Sequence, residues 1–185
     1  MRDSVEVLLD VGKAHVDERD YNGCTALMLA AKSVNIEIVE ILVRIGKASV
    51  DIQDRNGDTA LMFATKAKSV EMVNFLLNIG KANVNAKSYG GRTALMCALE
   101  QENMEVAKFL LSIGNADVNK RDNERRTALT EAVIKEHEEI VKLLLDTGKV
   151  DVQAEDQFER ALEHAKSCGL TTIVNLLQAY SASAQ

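Results

Sequence analysis

The triplet Thr-Ala-Leu recurs at residues 25–27, 59–61, 93–95 and 127–129, each copy 34 residues after the last. A glycine keeps the same beat at Gly12, Gly46, Gly80, Gly114 and Gly148, and a decayed copy opens at Arg160-Ala161-Leu162 after a step of 33. A period of that length describes small supersecondary units that cannot bury their own apolar faces, so that stacked neighbours must supply the core. Each unit begins with a turn: Asp20-Tyr21-Asn22-Gly23, Asp54-Arg55-Asn56-Gly57, Ser88-Tyr89-Gly90-Gly91. Asp, Asn and Gly favour tight turns, and Gly supplies positive φ. The Thr then opens a short helix and can cap its free amides. In the first complete unit Leu27, Ala30 and Ala31 fall on one face of that helix. A second helix is predicted from Ile36 to Ile45, ending at Gly46 as the left-handed residue beyond a helix end. Helices of this length do not hold together singly in water.

The order D-x-x-G-x-T-A-L-x-x-A, then x-x-I-V-x-x-L-L-x-x-G, resembles the ankyrin repeat, whose signature is T-P-L-H-x-A. The resemblance covers essentially the whole chain and implies an α-helical solenoid of ankyrin repeats, each a β-turn or hairpin finger plus an antiparallel helix pair. Read this way, the chain has an N-terminal half repeat (1–19), repeats at 20–53, 54–87, 88–121 and 122–155, a capping repeat (156–180) and a frayed tail (181–185). Three departures stand out. The signature Pro is Ala throughout, and its His is Met28, Met62, Met96 or Thr130; Ala is a strong helix former, so the loss of Pro costs little. One residue is added after the glycine, as in Gly46-Lys47-Ala48-Ser49. The ends are irregular: Val5, Val7, Leu8 and Gly12 match a second helix with no first helix before it, while the last copy lacks both the turn Gly and the Thr. The N-terminal helix reads as the remnant of a longer array, with a makeshift cap as the alternative. The last copy reads as a cap, because Glu163, Lys166, Thr172 and Gln178 are polar where other units are apolar or mixed.

Ankyrin-like arrays bind proteins on a concave side formed by the turn tips and the open face of each first helix. Carried onto this sequence, the tips supply Tyr21, Asn22, Cys24, Arg55, Asn56, Asp58, Tyr89, Arg92, Asn123, Glu124 and Arg126. The helix columns supply Leu29 and Lys32, Phe63 and Lys66, Cys97 and Glu100, Glu131, Ile134 and Lys135, and His164, Ser167 and Cys168. These columns vary between units, whereas the leucines at 42, 76, 110, 144 and 177 do not. Tyr21, Arg55, Tyr89 and Arg92 are residue types enriched at interface hot spots. Leu29 and Phe63 would be apolar groups on an open face. Charge shifts along the chain, from Lys32, Arg55, Lys66 and Lys68 to Glu100, Glu102, Glu131 and Glu136. Such a gradient would orient a partner carrying the opposite one. Arg125 stands where Gly23, Gly57 and Gly91 stand, and a locally rebuilt turn is expected there.

The expected function is therefore protein binding as an interaction module or scaffold, with a small-molecule or enzymatic role in the groove as the alternative. A net charge of −6 with no basic stripe argues against nucleic acid. No apolar run approaches a membrane span. Cys24, Cys97 and Cys168 are widely spaced with no CxxC pair, which reads as reduced thiols in the cytoplasm or nucleus. No cofactor is expected. His137 is read as a capping or solvent residue. His164 and Cys168 are four apart on one helix, but no third group accompanies them, so neither a nucleophile nor a metal site is assigned. The Gly-Lys at 46–47 lacks the upstream glycine of a phosphate loop. Finally, Leu27, Ala31 and Val34 are expected to be thinly covered by the lone N-terminal helix, and that edge to favour weak self-association.

Overall fold

The computed structural model describes residues 15–112, 115–152 and 155–183. The helix expected around Val5 to Val11 lies outside the described residues, as do Gly12 and Gly114. The chain divides into two compact units, Met1–Ala94 and Leu95–Gln185.

The first unit contains α1 (Ala26–Lys32), α2 (Ile36–Arg44), α3 (Ala60–Lys66) and α4 (Val70–Asn78). Thr25 and Thr59 cap α1 and α3 as expected, each hydroxyl accepting the amide three residues on at 3.4 Å. The thioether of Met28, in the position of the signature His, accepts the Thr25 amide at 3.4 Å and so completes a capping box. α1 packs on α2 and on α3, and α3 packs on α4. The core is Leu27, Met28 and Ala31 of α1, Val39 and Ile41 of α2, Leu61 and Ala64 of α3, and Met72, Val73 and Leu76 of α4. Leu27 and Ala31 are fully buried, which corrects the expectation of a thinly covered edge; of the three residues named for it, only Val34 is exposed.

The second unit contains α5 (Ala94–Glu100, entered from the last residue of the first unit), α6 (Met104–Ser112), α7 (Ala128–Ile134), α8 (Glu138–Asp146), α9 (Glu155–Ser167) and α10 (Thr171–Ser183). Helices α6 and α7 pack on α8, α9 on α7, and α10 on α8 and α9. Thr127 caps α7, and here the Thr130 hydroxyl takes the thioether's place, accepting the Thr127 amide at 2.6 Å. Leu110, Leu144 and Leu177 are buried, as their column demands. The polar residues read as a cap, Glu163, Lys166, Thr172 and Gln178, are all exposed. Two details of the last copy differ from expectation. With no turn Gly and no capping Thr to stop it, α9 starts at Glu155 rather than near Arg160. At the other end α10 runs on to Ser183, so residues 181–183 are helical, with the Ser183 hydroxyl on the Tyr180 carbonyl at 2.8 Å.

The residue that reverses the chain after each second helix also differs from the sequence reading. Lys47 (φ 53°), Lys81 (φ 57°) and Asn115 (φ 50°) are the left-handed residues, one place beyond the glycine. The added residue thus carries the turn. Gly80 serves a different purpose, since a Cβ there would lie 2.7 Å from the Leu76 carbonyl oxygen. At Gly148 the glycine itself is left-handed, φ 66°. A second set of left-handed residues closes each first helix: Val34, Lys68, Glu102, Glu136 and Gly169. Around each, two amides return to the helix, as Val34 to the Ala31 carbonyl (3.2 Å) and Asn35 to the Ala30 carbonyl (3.0 Å). No strand occurs among the described residues, and no helix among them is long and apolar enough to cross a membrane.

Candidate functional site

In the first unit the finger tips are built on buried or hydrogen-bonded turn residues. Asp20 Oδ1 accepts the amides of Asn22 and Cys24, both at 2.8 Å, and its own amide donates to the Cys24 carbonyl at 2.9 Å. Asp54 repeats the arrangement with Asn56 and Asp58, both at 2.8 Å. In the third finger Ser88 Oγ stands in, accepting the Arg92 amide at 3.2 Å. Consecutive tips are joined through their backbones, Arg55 N–H to the Asn22 carbonyl at 3.0 Å and Tyr89 N–H to the Asn56 carbonyl at 2.9 Å. Polar side chains at the finger bases add a second link of the same period. Arg19 Nε donates to the Gly23 carbonyl (3.0 Å) and Arg19 Nη2 reaches the Gln53 carbonyl. Gln53 Nε2 donates to the carbonyls of Gly57 and Lys87, each at 2.7 Å. The sequence reading missed these bridges; long polar residues at 19 and 53 in phase with the period were the available signal.

On this rigid ladder the tip side chains are presented outward. Tyr21 is 82% exposed and Tyr89 64%. The Arg55 guanidinium lies over the Tyr21 ring, 4.5 Å from its centroid, a cation–π contact that stiffens both groups. Asn22 and Asn56 are exposed, and Arg92 is half-buried. Two residues assigned to the tips are instead internal: Cys24 and Asp58 are buried, because alternate residues of a turn point back at the helix they introduce. Asp58 pairs with the Lys66 ammonium.

The helix columns divide in the same way. Leu29 is 47% exposed and Lys32 is exposed, while Phe63 and Lys66 are half-buried. Lys32 and Lys66 are the only charged residues of α1 and α3, and the charge of Lys66 is met by Asp58. In the second unit Glu100 is exposed, but Cys97 and Glu131 are not part of an open face. Cys97 is buried because its short side chain ends below the level to which a Leu or Phe in that column extends. Glu131 is only 6% exposed; α9 packs along α7, and Arg126 is close enough for its charge and that of Glu131 to act on each other.

The finger of the second unit keeps the regular turn. Arg125 has φ 63° and donates its amide to the Asp122 carbonyl at 3.0 Å, as Gly23 does to Asp20 at 2.9 Å. The expected rebuilding of this turn does not occur: buried Asp122 holds the amides of Glu124 (2.9 Å) and Arg126 (2.8 Å) and so imposes the backbone. A left-handed non-glycine residue costs about 1 kcal/mol. Arg125→Gly is therefore expected to raise the thermal midpoint by about 2–4 °C in a calorimetric scan, and a lowered midpoint would show that the arginine side chain contributes more than the strain removes.

Among the described residues little points to chemistry. His137 stands at the N-cap of α8 but makes no side-chain capping bond, whereas Asn35, Ser69 and Asn103 at the same place each accept an amide. The pair His164 and Cys168 is brought together, Nε2 to Sγ 3.7 Å, on an exposed surface. Among the described residues no cluster of ligating side chains could hold a metal. No disulfide joins the three cysteines; Cys24 and Cys97 are buried and Cys168 is exposed. Burial, with Asp20 and Asp54 nearby, pushes the Cys24 thiol up from its ordinary value. Iodoacetamide should thus alkylate Cys168 alone in the folded protein and all three after denaturation, as read by intact mass. Equal labelling rates in the folded state would contradict the burial described here.

The profile for ankyrin repeats in three copies matches residues 44–122 and 113–185, and that for a single ankyrin repeat matches residues 22–55. The chain belongs to the ankyrin repeat family. Among solved structures, the ankyrin repeat domain of Bcl-3, described as a unique member of the IkappaB protein family, is similar with a TM-score of 0.83 and 30% identity, over 96% of this chain and 78% of that one. Among curated proteins none matches in sequence. Ankyrin repeat domains are in general protein–protein interaction modules and typically not enzymes.

Proposed function

We propose that this ankyrin repeat domain binds a protein partner through the tips and inner helix face of its first unit, with Tyr21, Asn22, Arg55, Asn56, Tyr89 and Arg92 at the tips and Leu29, Lys32, Phe63 and Lys66 on the helices. The observation that carries this reading is the exposed Tyr21 ring with the Arg55 guanidinium stacked 4.5 Å above it. Tyr and Arg are hot-spot residues. Here they are already held in place by the tip-to-tip hydrogen bonds, so little conformational entropy remains to be lost on binding. Leu29, 47% exposed, adds an apolar anchor beside Lys32. Glu100 of the second unit is a further contact candidate. A cytoplasmic or nuclear location suits three cysteines that form no disulfide.

The test compares wild-type protein with the Tyr21→Ala/Arg55→Ala double variant in affinity capture followed by measured binding of each captured protein. Both side chains are exposed, so the thermal midpoint should not move. Affinity for the true partner should fall about tenfold or more, since each hot-spot truncation costs more than 1 kcal/mol. Equal affinity for every captured protein would end this reading.

A further inference from the structure

The groove between α7 and α9 in the second unit holds a cavity of about 120 Å³ lined by Arg126, Thr130, Ile134, Arg160, Ala161 and His164. Its α7 side carries Arg126, Thr130 and Ile134, and its α9 side Arg160, Ala161 and His164, so cationic and apolar groups face one another. Arg126 is fixed: its Nε and Nη2 lie on Asp122 Oδ2, both at 2.9 Å, and its Nη1 is 3.3 Å from Glu124 Oε2. Burial opposes its charge, but the bond and charge of Asp122, with Glu131 and Glu124 behind, hold its proton above the ordinary guanidinium range. Arg160 is different. It stands where the four preceding copies have Thr. It is exposed, and no carboxylate among the described residues pairs with it. His164 follows one turn later on the same face of α9, half-buried. The Thr130 hydroxyl is already committed to the Thr127 carbonyl at 2.8 Å. Across the groove Ile134 is 42% exposed, and Ala161 forms the apolar floor.

A ligand that satisfies Arg160 must be an anion, and the surroundings limit its charge. Asp122, Glu124 and Glu131 outweigh Arg126, which leaves Arg160 to balance the ligand; one guanidinium matches the single charge of a carboxylate, held bidentately, and leaves part of the charge of a phosphate dianion unmatched. The cavity has room for about one residue. A single residue must therefore meet both the cation and the apolar surface. The side chain of an internal Asp or Glu ends in its carboxylate and would leave Ile134 bare. A C-terminal aliphatic residue carries its carboxylate and its apolar side chain on one Cα. We propose that this groove captures the C-terminal Leu, Ile or Val of a partner protein, with the carboxylate on Arg160 beside His164 and the side chain against Ile134 and Ala161. The inference extends protein binding to the second unit and does not require the tips of the first unit to be the contact surface.

The full chain is titrated with acetyl-Gly-Gly-Leu as the free acid, with the same peptide amidated, and with an amidated acetyl-Gly-Asp-Gly, following the Arg160 side-chain N–H and the His164 ring C–H by NMR. The free acid should move both resonances and saturate with a Kd on the order of millimolar, as suits a fragment of this size. The amide and the internal Asp peptide should bind about tenfold more weakly or worse. Arg160→Gln and Ile134→Asn, both at exposed positions, should each weaken the free acid by about tenfold. Tyr21→Ala should leave the titration unchanged, which separates this groove from the tips. The proposal is overturned if acid and amide bind alike, if the Asp peptide matches the Leu acid, or if neither resonance moves.

Discussion

Gly57→Ala is expected to destabilise the protein by about 3 kcal/mol, and the finger contact rather than the glycine's own dihedral should account for most of it. Gly57 has φ +80°, and a Cβ there would sit 2.2 Å from the Tyr89 amide nitrogen and 2.8 Å from the Ser88 carbonyl carbon. Both contacts are backbone, so neither can swing aside. The third finger would have to move off the second, breaking the 2.9 Å bond from Tyr89 N–H to the Asn56 carbonyl. Gly169 provides the control. It too is left-handed, φ +71°, but an added Cβ would meet nothing within 4 Å. Gly169→Ala should cost only the dihedral strain, about 1 kcal/mol. Equal costs for the two substitutions in denaturant unfolding would mean that the fingers are not mechanically coupled in the way their hydrogen bonds indicate. The same variant tests function indirectly, because the spacing of Tyr21, Arg55 and Tyr89 depends on that coupling.

Leu76→Ala should cost about 2–5 kcal/mol, the range for a leucine whose removal leaves a cavity in a packed core. Leu76 is fully buried in α4, with Met72 and Val73 of the same helix equally buried. The thermal midpoint followed by far-UV circular dichroism should drop by about 5–15 °C. Repeat arrays owe their stability to individual units and the interfaces between neighbours. Hydrogen exchange in the variant should therefore rise most in α3 and α4, which pack together. A midpoint indistinguishable from wild type would mean that the repeat register is misplaced.

How much of this was legible beforehand follows from where each signal is stored. The unit length, the Thr caps at 25, 59 and 127, and the buried column at 42, 76, 110, 144 and 177 are local facts. A hydroxyl that can reach the amide three residues on, and an apolar face repeating at helical spacing, are set by the chain's own geometry and need no knowledge of the neighbours. In-phase repetition then implies the stacking, since no single unit can cover its apolar face. The exposed state of Tyr21, Leu29 and Tyr89 also follows from this register.

Other features were set by partners far away in sequence. The column that exposes Leu29 buries Cys97 and Glu131, because exposure depends on how far a side chain reaches and on what packs beside it. Arg125 keeps a glycine's backbone because buried Asp122 dictates it through the amides of Glu124 and Arg126. Gly57 looked like a turn glycine, and only the approach of Tyr89, 32 residues on, shows that it is also a contact. The sequence by itself determined the repeat, its caps and its core, since these rest on interactions within a few residues. Tertiary structure alone decided which variable residues face outward and that Arg160 and His164 meet Ile134 across one cavity, since those outcomes depend on side chains brought together from different repeats.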